Sequence, residues 1–288
     1  MIDLFGDFFY NKPIPLIVQI GVGGTGSQLS QQVAQMLSTS KKGIYVLADP
    51  DIVEEKNLRN QLFSQGNIGR PKAEILAKRY SAAYDYPVYS YTEKYIEDLV
   101  TLNEVFSLPF YHNNSYNPNV FPILIGCVDN NYTRKIFHDF FNHENVSNIV
   151  YIDAGNESVV LPDDYPSRDM RDWTEEEITT YKESGWTGQV VVGVKKSNEI
   201  LLEPVADVYP DILMDDDEIA PSEMSCEDLT SSDPQRLITN RFSSMAVSTV
   251  IAEILEAGTI SNHKIVFHAK RGYMRAEPVA IKEGMNQN

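Results

Sequence analysis

The chain has 288 residues, of which 42% are hydrophobic and 23% are charged, a balance typical of a globular protein that buries a substantial core. Its 24 basic and 41 acidic residues give a formal net charge of −17. This charge repels nucleic-acid phosphate, and no apolar run has the length that a bilayer requires, so we expect neither a nucleic-acid partner nor membrane association.

The N-terminal segment and the cysteine content indicate the compartment. Residues 1–10 carry two aspartates and no basic side chain, which is untypical of a secretory signal. Cys127 and Cys226 are the two cysteines, too few for a disulfide framework or for a four-thiolate zinc site. We therefore expect a cytoplasmic protein without structural zinc.

Short apolar runs alternate with amphipathic segments in the first half of the chain. Strands are predicted where apolar runs end in glycine or an acid, at residues 16–20, 43–48, 86–91, 121–128 and 148–152. Helices are predicted between them, at residues 27–37, 71–83, 97–106 and 131–141. Residues 1–160 are therefore predicted to form an α/β, Rossmann-like core, in which helices cover both faces of a mostly parallel sheet.

The second part, residues 161–288, is predicted to be an α+β extension packed on the same sheet. Thr174 and Glu177 have the spacing of a capping box at the start of a short surface helix. Strands at residues 189–194 and 199–203 are predicted to form a hairpin around Ser197 and Asn198. The longest helix is predicted at residues 234–257, and a final hairpin at residues 264–268 and 273–280.

A glycine-rich loop links the first predicted strand to the first helix. Residues 21–26 read GVGGTG, a G-x-G-x-x-G pattern. Glycines in this position let the backbone turn tightly and approach a phosphate at the helix N-terminus. We therefore predict a nucleotide-binding loop that consists of Gly21, Gly23, Gly24, Thr25 and Gly26.

An acid ends the second predicted strand. Asp49 occupies the position from which a carboxylate contacts a ribose hydroxyl in nucleotide-binding sheets. Because the carboxyl ends of parallel strands meet at one edge, Asp49 and Asp129 should converge with the glycine loop on one crevice. These features fit an NAD- or FAD-dependent oxidoreductase as well as a protein that uses ATP.

Further motifs separate these two classes. Residues 49–61 read DPDIVEEKNLRNQ, residues 68–73 read IGRPKA, and residues 127–134 read CVDNNYTR. In this order and spacing they resemble the ubiquitin-activating-enzyme-like ThiF/MoeB/HesA family, and the resemblance covers residues 14–156. The tail is similar, more loosely, to that of the ThiF-like protein of the PRTRC gene cassette.

The resemblance implies ATP-dependent adenylation of the C-terminal carboxylate of a small ubiquitin-like protein, with Mg²⁺ as cofactor. It also implies a homodimer and a conjugating-type acceptor protein. Asp129 would hold the metal and act in catalysis with Lys72. The remaining nucleotide-binding residues that it implies are Asp49, Asp51, Asn57 and Gln61.

Two departures from the family pattern leave a second interpretation open. The family's arginine in the N-L-x-R-Q motif falls on Asn60, while an arginine stands one place earlier, at Arg59. No arginine precedes Arg59, although adenylating members often carry one near the N-terminus. Arg59 is therefore a candidate catalytic residue, and a catalytically inactive member that binds nucleotide or a partner is the alternative.

Cys226 matches a cysteine in the tails of the relatives and is the candidate acceptor of a thioester. A thiolate at this position could take the activated carboxyl group. The adjacent Glu227 and Asp228 oppose this role, because nearby negative charge raises a thiol pKa. Cys127 ends an apolar strand and is interpreted as a core residue.

Overall fold

The computed structural model describes residues 1–6, 12–110, 119–165, 167–215, 220–223 and 234–280. The strands are β1 (Ile2–Asp3), β2 (Ile14–Ile20), β3 (Ile44–Ala48), β4 (Val88–Tyr91), β5 (Val120–Gly126), β6 (Ile149–Asn156), β7 (Thr187–Lys196), β8 (Glu199–Leu202), β9 (Thr259–Ile260), β10 (Asn262–His268) and β11 (Tyr273–Pro278). The α-helices are α1 (Gly24–Ser40), α2 (Lys72–Tyr84), α3 (Leu99–Ser107), α4 (Asn131–Asn142), α5 (Glu175–Glu183), α6 (Val205–Val208), α7 (Asp211–Met214) and α8 (Leu237–Ala257).

One nine-stranded mixed sheet organises the molecule. Its order is β11-β10-β7-β6-β5-β2-β3-β4, with β8 paired to β7. Strands β2 to β6 are parallel to their neighbours within this group, and the later strands add antiparallel pairs. The earliest strand of the sheet, β2, lies between β3 and β5. The order of strands reverses at β2 and β5, and in open α/β sheets a ligand crevice forms at such a switch point.

Helices cover both faces of the parallel part, as the sequence predicted. Within β2, Ile17 faces a core shared with α1, α2 and α8, and the next residue, Val18, faces a core shared with α3 and α4. Side chains alternate between the two faces of a strand, so a strand buried on both faces is expected to be largely apolar. This is why continuous apolar runs in the sequence marked the parallel strands correctly.

The later strands extend the same sheet. Ser197 and Asn198 both have a positive φ, 51° and 64°, which is the backbone of a tight hairpin turn between β7 and β8. Thr174 and Glu177 form the predicted capping box at the start of α5. No helix in the described part of the chain has the length and apolar character needed to cross a membrane.

Candidate functional site

The loop after β2 lies directly against the loop after β5. Gly21 has a φ of +87°, and a Cβ there would lie 2.5 Å from the carbonyl oxygen of Cys127. A Cβ on Gly26 would lie 2.1 Å from the carbonyl oxygen of Gly21. Only glycine permits these two close approaches. They bring the backbone amides of the first turn of α1 to the switch point, where an anion can bind them.

Gln61 borders this glycine loop. Its Nε2 lies 3.8 Å from the Cβ position of Gly23. Its Oε1 is buried and has no hydrogen-bond partner among the described residues. An unpaired buried amide oxygen is costly unless a ligand or water satisfies it. Together with the glycine cradle, this unpaired atom fits a site for a polar ligand such as a nucleotide.

Asp49 ties the glycine loop to the acidic segment that follows β3. Its Oδ2 accepts a hydrogen bond from the backbone N–H of Val22 at 2.8 Å. Its Oδ1 accepts from the N–H of Asp51 at 2.9 Å. The residue is 7% exposed. The carboxylate is therefore held in one orientation, and each oxygen retains a lone pair that can accept a further hydrogen bond.

Lys72 is buried beside Asp51 because two short segments pair. Residues 51–53 run antiparallel to residues 69–72, and the N–H of Lys72 donates to the carbonyl of Asp51 at 2.8 Å. This pairing places Nζ of Lys72 2.8 Å from Oδ2 of Asp51. The other oxygen of Asp51 accepts from the hydroxyl of Tyr95. Local pairing thus brings two predicted site residues into contact.

The protonation states of this cluster follow from burial and mutual attraction. Burial acts to lower the pKa of Lys72, but the charges of Asp49 and Asp51 outweigh it and raise the pKa. Burial acts to raise the pKa of Asp51, but the charge and hydrogen bond of Lys72 outweigh it and lower the pKa. Burial raises the pKa of Asp49 to about 6, against the opposing effect of Lys72. At neutral pH the cluster holds one ammonium and two carboxylates.

A 3-10 helix, Glu55–Arg59, follows the acidic segment. Asn57 is 6% exposed, and its Oδ1 accepts from the backbone N–H of Glu54 at 2.8 Å. Arg59 is exposed and lines a separate cavity near α8. Asn60 donates to the carbonyl of Gln235 at 3.5 Å. The neighbours Arg59 and Asn60 therefore contact different surroundings, and the structure places Arg59 outside the cluster around Lys72.

Asp129 is exposed after β5, and the next residue, Asn130, caps α4 by accepting from the N–H of Thr133 at 2.8 Å. One exposed carboxylate suits Mg²⁺, which takes one or two protein carboxylates together with phosphate oxygens.

Arg134, one turn into α4, is a structural residue. Its Nε donates to Oδ1 of the buried Asp153 at 3.2 Å, so its charge is already paired.

Two polar side chains that sequence reasoning left without a site role, Asn156 and Asn240, join Thr25 of the glycine loop to α8. Asn240 is fully buried, and its Oδ1 accepts from Nδ2 of Asn156 at 2.9 Å and from the hydroxyl of Thr25 at 3.4 Å. A Cβ on Gly24 would lie 2.3 Å from Nδ2 of Asn240. The one signal available in the sequence was an amide at an inward position of an apolar helix, which is uncommon without a partner.

Of the two cysteines, Cys127 lies within the described residues and Cys226 lies outside them. Burial raises the pKa of the Cys127 thiol far above its ordinary value, which makes this thiol unreactive.

Among the described residues no group of three or more histidine, cysteine, aspartate or glutamate side chains could hold a metal ion. A magnesium site here would therefore depend on phosphate oxygens as well as on Asp129.

Comparison with known proteins identifies the family. A model described as the ThiF family matches residues 16–271. The chain belongs to the ThiF family. This ThiF-family chain is also similar to two ubiquitin-activating enzymes of Triticum aestivum, E1 1 and E1 2, with 37% and 35% identity over 79 residues. That stretch is 26% of this chain and 8% of each wheat enzyme.

Solved structures share the fold of this ThiF-family chain. The structure of E. coli MccB with AMPCPP and MccA has a TM-score of 0.55 and 14% identity. It covers 94% of this chain, and the chain spans 65% of that protein. MccB with ATP gives a TM-score of 0.54 at 15% identity, and PaaA gives 0.53 at 16% identity. In both cases the match covers 92% of this chain and 64% of the other. The structural similarity over most of the chain, at these low identities, shows the shared Rossmann-like fold.

Proposed function

We propose that this ThiF-family chain uses ATP and Mg²⁺ to adenylate the C-terminal carboxylate of a small ubiquitin-like protein. The observation that carries the proposal is the cluster of the buried Asp49 and Lys72 with the partly exposed Asp51 beside the glycine loop. A preorganised ammonium next to a phosphate cradle stabilises negative charge that develops during phosphoryl chemistry. Family membership supports the proposal, as do the MccB structures with ATP and with AMPCPP and MccA.

The nucleotide would occupy the switch point between β2 and β5. The backbone amides at the start of α1 would contact phosphate, and the oxygens of Asp49 would accept from ribose hydroxyls. Asn57 and Gln61 would border the phosphates. Asp129 would hold Mg²⁺, which supplies charge neutralisation on the phosphate oxygens when it is bound.

Lys72 would act on the reacting phosphate. In the structure its ammonium is paired with Asp51, which holds it at the edge of the crevice with its charge intact. A phosphate bound at the glycine loop would compete with Asp51 for this ammonium. The charge of Lys72 is a compact point charge on a flexible stem, so it can move between the two partners.

The proposed reaction is an in-line displacement. A carboxylate oxygen of the ubiquitin-like protein attacks the α-phosphorus of ATP, and the bond to the bridging oxygen breaks. Pyrophosphate leaves with that electron pair, and the acyl-adenylate forms. The nucleophile is already an anion, so no general base is needed. The chain contributes positioning and charge stabilisation.

We propose Cys226 as the next acceptor. Its thiolate would attack the acyl carbon of the adenylate and displace AMP. The product would be a thioester on Cys226, from which a conjugating-type protein could accept the acyl group. The Cys226→Ser variant should lose a thiol-sensitive adduct of the ubiquitin-like protein, measured by non-reducing electrophoresis and mass spectrometry. The Cys127→Ser variant is the control and should keep the adduct, because burial raises the pKa of the Cys127 thiol far above its ordinary value.

Pyrophosphate exchange tests the adenylation step. Purified chain, ATP and Mg²⁺ should exchange labelled pyrophosphate into ATP only when a ubiquitin-like protein with a free C-terminus is present. The same protein with an amidated C-terminus is the control and should give no exchange. Calorimetry should give binding of ATP–Mg²⁺ and none of NAD. Absence of exchange in a wild-type chain that binds ATP would contradict the catalytic proposal.

Asn60 favours a second candidate function, an inactive nucleotide-binding member. An amide stands where the family has an arginine, and it contacts the carbonyl of Gln235. If the wild type binds ATP without exchange and the Asn60→Arg variant gains exchange, this second function is supported.

A homodimer, a cytoplasmic location and a place in a PRTRC cassette stay predictions. Sedimentation analysis tests the first of them.

A further inference from the structure

A second cavity lies between residues 159–186 and the start of α8. Its volume is about 550 Å³, within the range of small-ligand sites. We call it the aromatic pocket and define it by the six lining residues that carry the argument. They are Arg59, Trp173, Tyr181, Trp186, Arg236 and Arg241.

The charge of the aromatic pocket is opposite to that of the molecule. The chain carries a net charge of −17, yet none of the described residues that line the pocket is aspartate or glutamate. Three arginines line it instead, and Arg59 and Arg241 are exposed. A basic concavity on an acidic protein attracts an anionic occupant selectively, because the surrounding surface repels it.

The aromatic wall is built before any ligand binds. The guanidinium of Arg236 lies 4.2 Å from the ring centroid of Trp186 and 5.1 Å from that of Tyr181. Its Nε also donates to the carbonyl of Ser184 at 2.9 Å. Trp173 packs edge-on against Tyr181 with centroids 5.6 Å apart. Arg236 therefore orders the wall and leaves Arg59 and Arg241 for an occupant.

An unpaired donor points to the chemistry of that occupant. Trp173 is 6% exposed, and its indole Nε1 is buried with no hydrogen-bond partner among the described residues. An indole nitrogen only donates, and so does a guanidinium. The aromatic pocket thus offers apolar surface beside several donors, which matches a carboxylate that accompanies an apolar side chain.

The pocket adjoins the candidate nucleotide site. On α8, Asn240 faces the glycine loop through Thr25, while Ile238 and Arg241 line the pocket. Arg59 ends the 3-10 helix that also carries Asn57. The first turns of α8 therefore border both the pocket and the glycine loop, so one molecule could occupy the pocket and also bring the reacting carboxylate.

We propose that the aromatic pocket binds an acidic segment of the peptide or protein whose carboxylate is adenylated. An apolar side chain of that segment packs against Trp173 and Trp186, and an acidic side chain pairs with Arg59 and Arg241. That this segment belongs to the molecule whose carboxylate is adenylated rests on the proposed function. The preference of the pocket for an acidic, apolar peptide rests on its lining alone.

Tryptophan fluorescence tests this preference directly. The chain has two tryptophans, and both line the pocket. The probe is an acetylated, amidated peptide that alternates phenylalanine and glutamate, and its matched control replaces each glutamate by glutamine. The acidic peptide should give a saturable change, and the neutral peptide should bind at least about tenfold more weakly, as lost charge-assisted hydrogen bonds require.

Variants locate the binding site. Arg241→Gln should weaken binding of the acidic peptide about tenfold and leave binding of the neutral peptide unchanged. Arg275→Gln is the matched control, because Arg275 is exposed on β11 and does not line the pocket. Equal binding of the acidic and neutral peptides by the wild type would overturn the proposal, and this comparison needs no variant to fold.

Saturating ATP–Mg²⁺ separates this proposal from the proposed function. The acidic peptide should still bind when ATP is present. If ATP alone reproduces the fluorescence change and displaces the peptide, the pocket belongs to the nucleotide and the proposal fails. If ATP binds by calorimetry while the peptide does not, the pocket proposal fails and adenylation stands. Peptide binding without pyrophosphate exchange would contradict adenylation alone.

Discussion

The crevice at the carboxyl edge of the sheet and the aromatic pocket differ in what builds them. The crevice consists of glycine backbone and buried charges, with Gly21 and Asp49 directly after strands and Lys72 at the start of α2. The aromatic pocket consists of side chains from distant segments, among them Arg59, Trp173 and Arg241. Backbone geometry tolerates few substitutions, whereas side chains on a surface can vary. We therefore expect the crevice to carry the chemistry shared by the family and the aromatic pocket to select the partner.

Removing the ammonium of Lys72 should have the largest effect. The Lys72→Met variant keeps the volume of the buried stem but leaves Asp49 and Asp51 without their counter-charge. We expect pyrophosphate exchange to fall by about 10²- to 10³-fold, the typical loss of one preorganised electrostatic group. Binding of the acidic peptide to the aromatic pocket should not change, which separates the two regions.

The control for this prediction is Lys78→Met. Lys78 is on the same helix but exposed, and it pairs with Glu74 one turn away. Such surface pairs contribute little to stability, so activity and thermal stability should stay close to the wild type. Equal activity of the two variants would show that Lys72 has no electrostatic role.

Two glycine substitutions test whether backbone packing builds the crevice. In Gly26→Ala the added Cβ would meet the carbonyl oxygen of Gly21 at 2.1 Å, and backbone cannot move aside cheaply. We expect the free energy of unfolding to fall by about 1–3 kcal/mol. Gly66→Ala places its Cβ where no atom lies within 4 Å, so its effect should stay within about 0.5 kcal/mol. Denaturant unfolding of both variants measures the difference, and similar losses would contradict the close-packing account.

The titration of Asp49 gives a pH dependence that belongs to the crevice alone. Its pKa is raised to about 6 by burial, so it is ionised above that pH and protonated below it. If the carboxylate accepts from ribose hydroxyls, adenosine affinity should fall about tenfold from about pH 7 to about pH 5, because the ionised fraction falls by that factor. Calorimetry with adenosine avoids the titration of phosphate. The Asp49→Asn variant should bind adenosine weakly at both pH values. A wild type whose adenosine affinity does not depend on pH would contradict this role of Asp49.

The smallest effect is expected in the aromatic pocket. Arg236→Lys keeps the charge but loses the planar stacking on Trp186 and the fork of hydrogen bonds to the backbone at Tyr181 and Ser184. We expect about 1 kcal/mol of destabilisation, a shift in tryptophan emission and unchanged ATP binding. Arg171→Lys, which changes an exposed arginine that pairs with Asp169, is the control and should leave the emission unchanged.

The sequence by itself determined the α/β fold and the glycine loop. Strands buried on both faces are largely apolar, so the central parallel strands β2, β3 and β5 were visible locally. The family resemblance implied Asp51 and Lys72 as site residues, and the pairing of residues 51–53 with residues 69–72 brings these two into contact close to β3 and α2. The positive φ of Ser197 and Asn198 likewise follows from residues that tolerate a tight turn.

The tertiary structure decided which way the remaining side chains face. Thr25 bonds to Asn240 across 215 positions, and Asn156 bonds to Thr25 across 131 positions. Contacts of this separation depend on how whole elements pack on the sheet, and no local pattern encodes them. For the same reason the sequence indicated Arg59 as a candidate catalytic residue without its surroundings, which the packing of α8 and residues 159–186 supplies by making it part of the aromatic pocket.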